Sequence, residues 1–407
     1  MNSAPEEHIT HRHEEIMANI QQRRIRGKVW QALFYLATTI AVLALVILIL
    51  NIFNSVFGYV LIENDVEPET LVASGNLEDM ENRELIALLE ENLSTGLIRR
   101  FNSEGPLEER STEDLARLVQ QRIINPTIIE SWSLWESIFE QDEIRTTRSE
   151  NSGTVLQFRS WLTIDFLRSP QNPRPQLAGI RTAFLGSLWM ILIVMVISFP
   201  IGVASAIYLE EYARADKWYN RIIEVNIYNL AGVPSIIFGL LGLAIFVRLL
   251  GGITQGRTIV SAGMTLSLLI LPIIIINSRE AIKAVPASLR ESSYGVGATK
   301  WQTIWHHILP ASFDRILTGT ILAISRAVGE TAPLVVVGAS TFITVDPDSI
   351  FSKFTTLPIQ IYQWSARPQE QFRNVAGAAI IVLLVLMLSM NAAAIITRNR
   401  IAKNRRV

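Results

Sequence analysis

The 407-residue chain sets 36 Lys and Arg against 37 Asp and Glu, a formal net charge of −1, and 49% of its residues are hydrophobic. It contains no cysteine, which excludes disulfide frameworks, cysteine zinc sites and thiol catalysis in any compartment. The near-zero charge hides strong segregation along the chain, and that segregation is the useful signal.

The amino terminus, Met1 to Gly27, is polar and charged, without the short apolar run and small-residue cleavage site of a signal peptide. The first apolar segment therefore reads as a retained anchor. A bilayer core takes about 20 mostly apolar residues in helix, and windows of that kind occur six times. Span one lies at Trp30–Tyr59, span two at Thr182–Leu209, span three at Val225–Val247 and span four at Thr258–Ser278. Span five is Ile316–Thr344, interrupted by Arg326 and Glu330, and span six is Asn374–Thr397. The predicted fold class is an all-α membrane protein with six transmembrane helices and a small helical extracytoplasmic insert. Its expected segments are a cytoplasmic tail at 1–29, span one at 30–59, the insert at 60–176, a five-span core at 177–397 with a cytoplasmic loop at 280–314, and a basic tail at 398–407.

Orientation follows from Lys and Arg near the span ends. Arg23, Arg24, Arg26 and Lys28 precede span one, and Arg398, Arg400, Lys403, Arg405 and Arg406 follow span six. Arg214, Lys217 and Arg221 lie between spans two and three, and Lys283, Arg290, Lys300 and Arg315 between spans four and five. With six spans all four groups fall on one side, the cytoplasm, which predicts that both termini are cytoplasmic.

The segment from about Glu63 to Gln176 then faces the other side, and acids outnumber bases in it about twofold. Asn76-Leu-Glu-Asp79 and Ser111-Thr-Glu-Asp114 read as helix starts, with a capping side chain and acids in the first turn. Leu85, Leu88, Leu89 and Leu93 repeat at helical spacing, as do Leu115, Leu118 and Ile123 more loosely. Trp132, Trp135 and Phe139 would share one face of a third helix. The insert is expected to meet a binding protein or to shield a pathway mouth; a partly disordered acidic loop is the alternative.

An ionisable residue inside a span is costly and marks function by default. Arg326 lies about ten residues into span five, near mid-depth, and Glu330 follows at i+4 on the same helix face. The pair either neutralises itself or places a cation on a translocation path, where arginine's fixed fork suits an oxyanion. Arg279, beside Glu280 at the cytoplasmic end of span four, is either a second pathway residue or an interfacial arginine reaching for water. Pro200, Gly232-Val-Pro234, Pro272 and Pro333 interrupt four spans. Such breaks are tolerated where protein or a water-filled cavity covers the freed backbone, which favours a transporter over a simple anchor.

Between spans four and five runs Glu291-Ser-Ser-Tyr-Gly-Val-Gly297, continuing to Leu309-Pro310, a polar, helix-compatible loop fit to dock a partner. Gly295-Val-Gly297-Ala-Thr-Lys300 is no phosphate-binding loop, because Trp301 stands where a magnesium-holding hydroxyl would be needed. His8, His11 and His13 lack the partners of a metal site, and no nucleophile elbow occurs. The chain is thus expected to be no enzyme and to hold no cofactor or metal, so an energised transporter of this design needs its motor in another chain.

The loop resembles the cytoplasmic signature of ABC-importer permeases: Glu-Ala-Ala, three residues, Gly, nine residues, Ile-x-Leu-Pro. Glu291, Gly297, Leu309 and Pro310 match; Ser292 and Ser293 replace the alanines, and His307 replaces the isoleucine. Further runs, Ala204–Tyr212, Gly232–Gly239, Ser278–Pro286, Ser288–Glu291, Gly297–Thr303 and Ser325–Pro333, are similar to the PstA-type permeases of phosphate-specific transport. The similarity covers roughly Trp161 to Thr397, and span one more loosely, and does not cover Glu63 to about Ser160. The resemblance implies the type I ABC-importer permease fold and a loop whose short coupling helix, with Glu291, Gly297, Leu309 and Pro310, docks on an ATP-binding subunit. It also implies a heterodimer with a sister permease of the PstC type, a dimer of ATP-binding subunits that bind ATP and Mg, and an extracytoplasmic phosphate-binding protein, with no nucleic-acid partner. Arg326, Glu330 and Arg279 are the candidate pathway residues. A permease for sulfate, molybdate or phosphonate is the alternative within transport, and a membrane sensor the alternative outside it.

Overall fold

A computed structural model describes the chain at residues 4–66, 68–71, 77, 80–151, 153–214, 216–339 and 342–404. Asn76, Glu78 and Asp79 of the first expected helix start, the side chains of His8, His11 and His13, and the basic side chains Lys403, Arg405 and Arg406 lie outside what is described. The chain divides into two units, residues 1–54 and 55–407. Span one is part of a single helix, Ala4–Val56. Within its apolar stretch the Thr38 and Thr39 hydroxyls donate to the Phe34 and Tyr35 carbonyls at 2.8 Å. Both polar groups are thereby satisfied inside the helix, as a bilayer core requires.

The helix ends at Val56 and the backbone becomes strand β1, Phe57–Glu63. Hydropathy alone runs straight through this junction, which is why the sequence placed span one's end at Tyr59. Gly58 weakens the helix, and the following Tyr-Val-Leu-Ile suits a pleated, half-buried surface. A side chain at Gly58 would strike the Trp132 carbonyl, so the two backbones touch there. β1 is the centre of a three-stranded antiparallel sheet. It pairs with β2, Thr127–Ser131, on one side and β3, Thr154–Ser160, on the other. The insert is therefore a mixed α/β unit rather than helical throughout. The wholly helical expectation missed the sheet because its strands are five to seven residues long and bury Val60, Leu61 and Ile62 consecutively, without a clean alternation.

The rest of the insert packs as expected. Leu85, Leu89, Phe101, Leu107, Leu115, Ala116, Val119 and Ile123 form a small core, against which Leu88 and Leu93 pack. Ser111 caps the helix Thr112–Val119, its hydroxyl accepting from the Asp114 N–H at 3.2 Å. Arg159 lies over the Trp161 ring and donates to the Gln176 carbonyl at 2.7 Å. Burial lowers its pKa, and the nearby Asp165 charge opposes that shift. Trp132 is not helical. Its N–H donates to the Tyr59 carbonyl at 2.9 Å, while Trp135 and Phe139 share a face of the helix Leu134–Phe139.

Span two is the helix Arg181–Ile207, extended by a widened π-type turn, Tyr208–Tyr212. Span four, Ile259–Lys283, is the most buried of the spans. Both run unbroken through their prolines, Pro200 and Pro272. Span three is broken at Gly232-Val-Pro234 into Trp218–Ala231 and Ser235–Leu249, which meet at 106°. Span five is one helical run, Lys300–Gly329. It stops at Glu330, and a separate short helix, Ala332–Val337, opens on Pro333. The predicted continuation to Thr344 fails at this break. Span six is Gln371–Asn404. Among the described residues five helices are long and apolar enough to cross a membrane, and the bent pair of span three makes six.

Around span four, Leu266, Ile270 and Ile274 are wholly buried with Met190 and Val194 of span two, Phe238 of span three, and Ala323 and Ala327 of span five. The two helix breaks meet one another. A Cβ on Gly239, beyond the first break, would stand 2.7 Å from the Cα of Pro333, beyond the second. Small residues permit such approach in membranes, where packing rather than water drives association. Gly239→Ala should therefore destabilise the protein by about 1–3 kcal/mol through overpacking, read as a lower unfolding midpoint in detergent. An unchanged midpoint would mean that the two short helices do not pack this closely.

Candidate functional site

The loop between spans four and five folds as a helix, Ala287–Gly295, then a turn, then the helical run that begins at Lys300. The turn depends on Gly297, whose φ of +83° is in the left-handed region that glycine adopts without strain. A Cβ there would meet nothing in this chain. The requirement for glycine thus comes from backbone conformation, and the space beside it is open to a partner. Thr299 caps the next helix, and its N–H donates to the Gln302 side chain at 2.8 Å. Glu291 is exposed on the helix Ala287–Gly295. Leu309 packs against a buried cluster of Ala206, Ala281, Ile282, Val285, Ile304, Ile308 and Ile316, and Pro310 lies in the first turn of the straight part of span five. Ser292, Ser293 and His307, the three departures from the family signature, line one groove of about 300 Å³. Ser293 is buried in it, hydrogen-bonded to the Thr303 hydroxyl at 2.8 Å.

Beneath this surface lies an ion-pair chain that the sequence did not reveal. Arg290, on the helix Ala287–Gly295, donates from Nε and Nη2 to Glu211 at 3.1 and 2.8 Å. Its Nη2 and Nη1 also donate to the Ile282 and Val285 carbonyls, at and just past the end of span four. Arg279 is held by Glu210 at 2.9 Å and by Glu224 at 2.6 Å. The two acids of the π-type turn thus tie the loop helix to span two and tie spans two, three and four together. Arg279 neither stands alone nor reaches for water; it joins three spans. The available signal was the placement of two acids, Glu210 and Glu211, immediately after an apolar span on the basic side, where they need cationic partners.

Arg326 and Glu330 occupy the break in span five. Arg326 is in the last helical turn, where a cation suits the helix dipole. Glu330 is the extended residue after Gly329, so it is off the helix rather than one turn along the same face. The two remain paired at 3.5 Å. The arginine side chain is 58% exposed and the glutamate 18%, so the guanidinium extends outward while its counter-ion stays held in the fold. The mid-depth position counted from Ile316 is superseded, since the helix begins at Lys300 and ends three residues past Arg326.

A further polar set was not anticipated. On the helix Leu357–Ser365, Gln360 is buried with neither amide atom hydrogen-bonded, and the Thr356 hydroxyl and Trp364 indole N–H nearby in sequence are likewise unmatched. Its sequence, Thr-Leu-Pro-Ile-Gln-Ile, carries no charge and gives no alert.

Six apolar spans, two of them broken, with a charged pair at one break and an exposed helix between spans four and five, define a membrane permease subunit. Residues 198–405, just over half of the chain, match the family model described as binding-protein-dependent transport system inner membrane component, and the chain belongs to that family. It is 33% identical over 237 residues to the phosphate transport system permease protein PstA 1 of Mycobacterium tuberculosis, covering 58% of this chain and 74% of that one. It is 34% identical over 239 residues to PstA of Yersinia pestis, covering 58% and 78%. With the probable ABC transporter permease protein YqgI of Bacillus subtilis it shares 30% over 247 residues, covering 57% and 83%. Among solved structures, a chain of the inward-facing MetNI methionine ABC transporter aligns at 18% identity and a TM-score of 0.44, covering 55% of this chain and 95% of that one.

A double-mutant cycle tests the tie. Glu211→Gln and Arg290→Gln should each lower stability, and together should show a coupling of about 0.5–3 kcal/mol in detergent unfolding. Strict additivity would mean that the pair does not join the two elements.

Proposed function

We propose that this chain is the permease subunit of an ATP-driven phosphate importer of the bacterial inner membrane, with both termini cytoplasmic. It forms half of the translocation pathway beside a sister permease of the PstC type. A dimer of ATP-binding subunits, which bind ATP and Mg, drives it from inside, and a phosphate-binding protein delivers cargo from outside. The kinship with phosphate transport permeases supports the cargo, and the chain's own contribution is the arginine at the broken end of span five.

The charge logic is simple. A lone guanidinium inside a membrane protein is expensive, and a counter-ion offsets that cost. Glu330 serves as the counter-ion at rest, and its single 3.5 Å contact leaves most of the guanidinium fork unused. A phosphate can take up those donors in a bidentate arrangement, exchanging one anionic partner for another instead of entering an empty cationic site. The weak resident pair keeps that exchange shallow, as release to the other side demands.

Coupling runs through the loop helix. Closure of the ATP-binding dimer moves Ala287–Gly295, and Arg290 carries that movement to Glu211 and so to span two. Glu210, Arg279 and Glu224 carry it on to spans three and four. The helices then shift as a linked set, as alternating access requires.

Arg326→Gln should cut phosphate uptake severely while the subunits still assemble and copurify; loss of assembly instead would assign the arginine a structural role. Gly297→Asp should leave membrane insertion intact and uncouple uptake from ATP hydrolysis, because a left-handed turn and an open docking space are both disturbed. Normal uptake by that variant would remove the turn from the docking surface. Phosphate-dependent stimulation of ATPase activity in the reconstituted complex tests cargo, partner and coupling together.

A further inference from the structure

The insert carries an apolar face that transport does not use. On the helix Leu134–Phe139, Trp135, Ile138 and Phe139 are 56%, 53% and 72% exposed. Their spacing puts them on one face, and the Trp135 and Phe139 rings stack at 5.4 Å. Ser137, on the opposite face, is buried, and its hydroxyl accepts from the Tyr59 N–H at 2.9 Å. Ser133 and Glu136 form a capping box that fixes the helix start. The helix is thus seated rigidly, with its apolar side turned outward.

Its position says what lies against that side. Tyr59 follows the end of the span-one helix at Val56 by three residues, a reach of at most about 11 Å. The Trp161 N–H closes onto the Val56 carbonyl itself at 3.0 Å. On the other flank, Asn374, in the first turn of span six, donates to the Ser131 hydroxyl at 3.4 Å, two residues before the capping Ser133. The helix is therefore tethered beside the first turn of span six, at the level where that span meets the bilayer surface on the insert's side. Tryptophan and other amphipathic aromatics favour that level. Exposed Glu136 and Glu140 flank the face, so its affinity comes from apolar contact, with no attraction to anionic headgroups.

We propose that the Trp135–Ile138–Phe139 face is a lipid anchor, seated in the headgroup–acyl boundary of the outer leaflet and holding the insert beside the spans. The occupant is the phospholipid surface itself, and the inference stands apart from the identity of the cargo. It gives the insert a fixed height and tilt, because the sheet follows directly from the anchored helix through the Trp132–Tyr59 hydrogen bond.

The absence of cysteine makes the test clean. Phe139→Cys in the full chain, assembled with its partner subunits in phosphatidylcholine vesicles, is labelled with an environment-sensitive fluorophore. Thr127→Cys, exposed at the far end of β2, is the control. Doxyl-labelled lipids should quench the Phe139→Cys label about twofold or more over the control, since an interfacial face sinks roughly 5–10 Å into the boundary. The same label should be protected from aqueous iodide, and replacing part of the phosphatidylcholine with phosphatidylglycerol should not deepen the quenching. Quenching equal to the control would overturn the proposal. Iodide access would then place the face in water, and iodide protection would place it against a protein partner. Labelling Ile138→Cys repeats the measurement in case Phe139→Cys disturbs the seat.

Discussion

Arg290 binds Glu211 and, with its other nitrogens, the last carbonyls of span four. Every donor group so engaged lies where three elements converge: the loop helix, the end of span two and the end of span four. Glu211 is nearly inaccessible there. A buried carboxylate without its cation would be strongly unfavourable, so the loop helix cannot separate from span two without exposing both charges to water. This constraint turns a surface loop into a part of the membrane domain. Glu210, one residue earlier, repeats the arrangement through Arg279 and Glu224. Adjacent acids in a regular helix diverge by about 100°; here, on a π-type turn, each of the two faces its own arginine.

At the other end of the same helices the physics changes from charge to close packing. Span four is hydrophobic on most faces and buried accordingly, and spans two, three and five pack against it. The short helices that follow the breaks in spans three and five meet at Gly239 and Pro333. Backbone freed by Pro234 and Pro333 is tolerable only under protein cover or beside water, and each break supplies cover for the other. Arg326 and Glu330 sit at the edge of this junction, where the helix of span five has ended and an extended residue lets the carboxylate turn back toward the guanidinium.

Much of this was legible in the sequence. The approximate span positions, the break at Gly232-Val-Pro234 and the Arg326–Glu330 pair came from apolar length, proline placement and unexpected charge. The illegible parts have specific causes. β1 continues the apolar run of span one, and hydropathy does not distinguish a buried strand from a membrane helix over six residues. Pro333 reads equally as a kink or as a helix start, and only the packing of Gly239 against it selects the second. Glu211 and Arg290 are 79 residues apart, and nothing local pairs them. At Gly297 the turn's positive φ demands glycine, while no atom of this chain stands beside it, so the need for glycine there shows only in the backbone.

The insert extends the argument from coupling to geometry. A unit joined to the spans only by flexible linkers would move freely over the pathway mouth. This one is held by a side-chain bond to the first turn of span six. Arg181, which opens span two, pairs with Asp346 at 2.8 Å, and the same carboxylate accepts from the Thr182 hydroxyl, so the segment between spans five and six is held to span two on that side as well. The broken ends of spans three and five interrupt the continuous helical bonding of the spans. Any movement of the spans would concentrate where the backbone is already interrupted, which is where the chain keeps its exposed arginine.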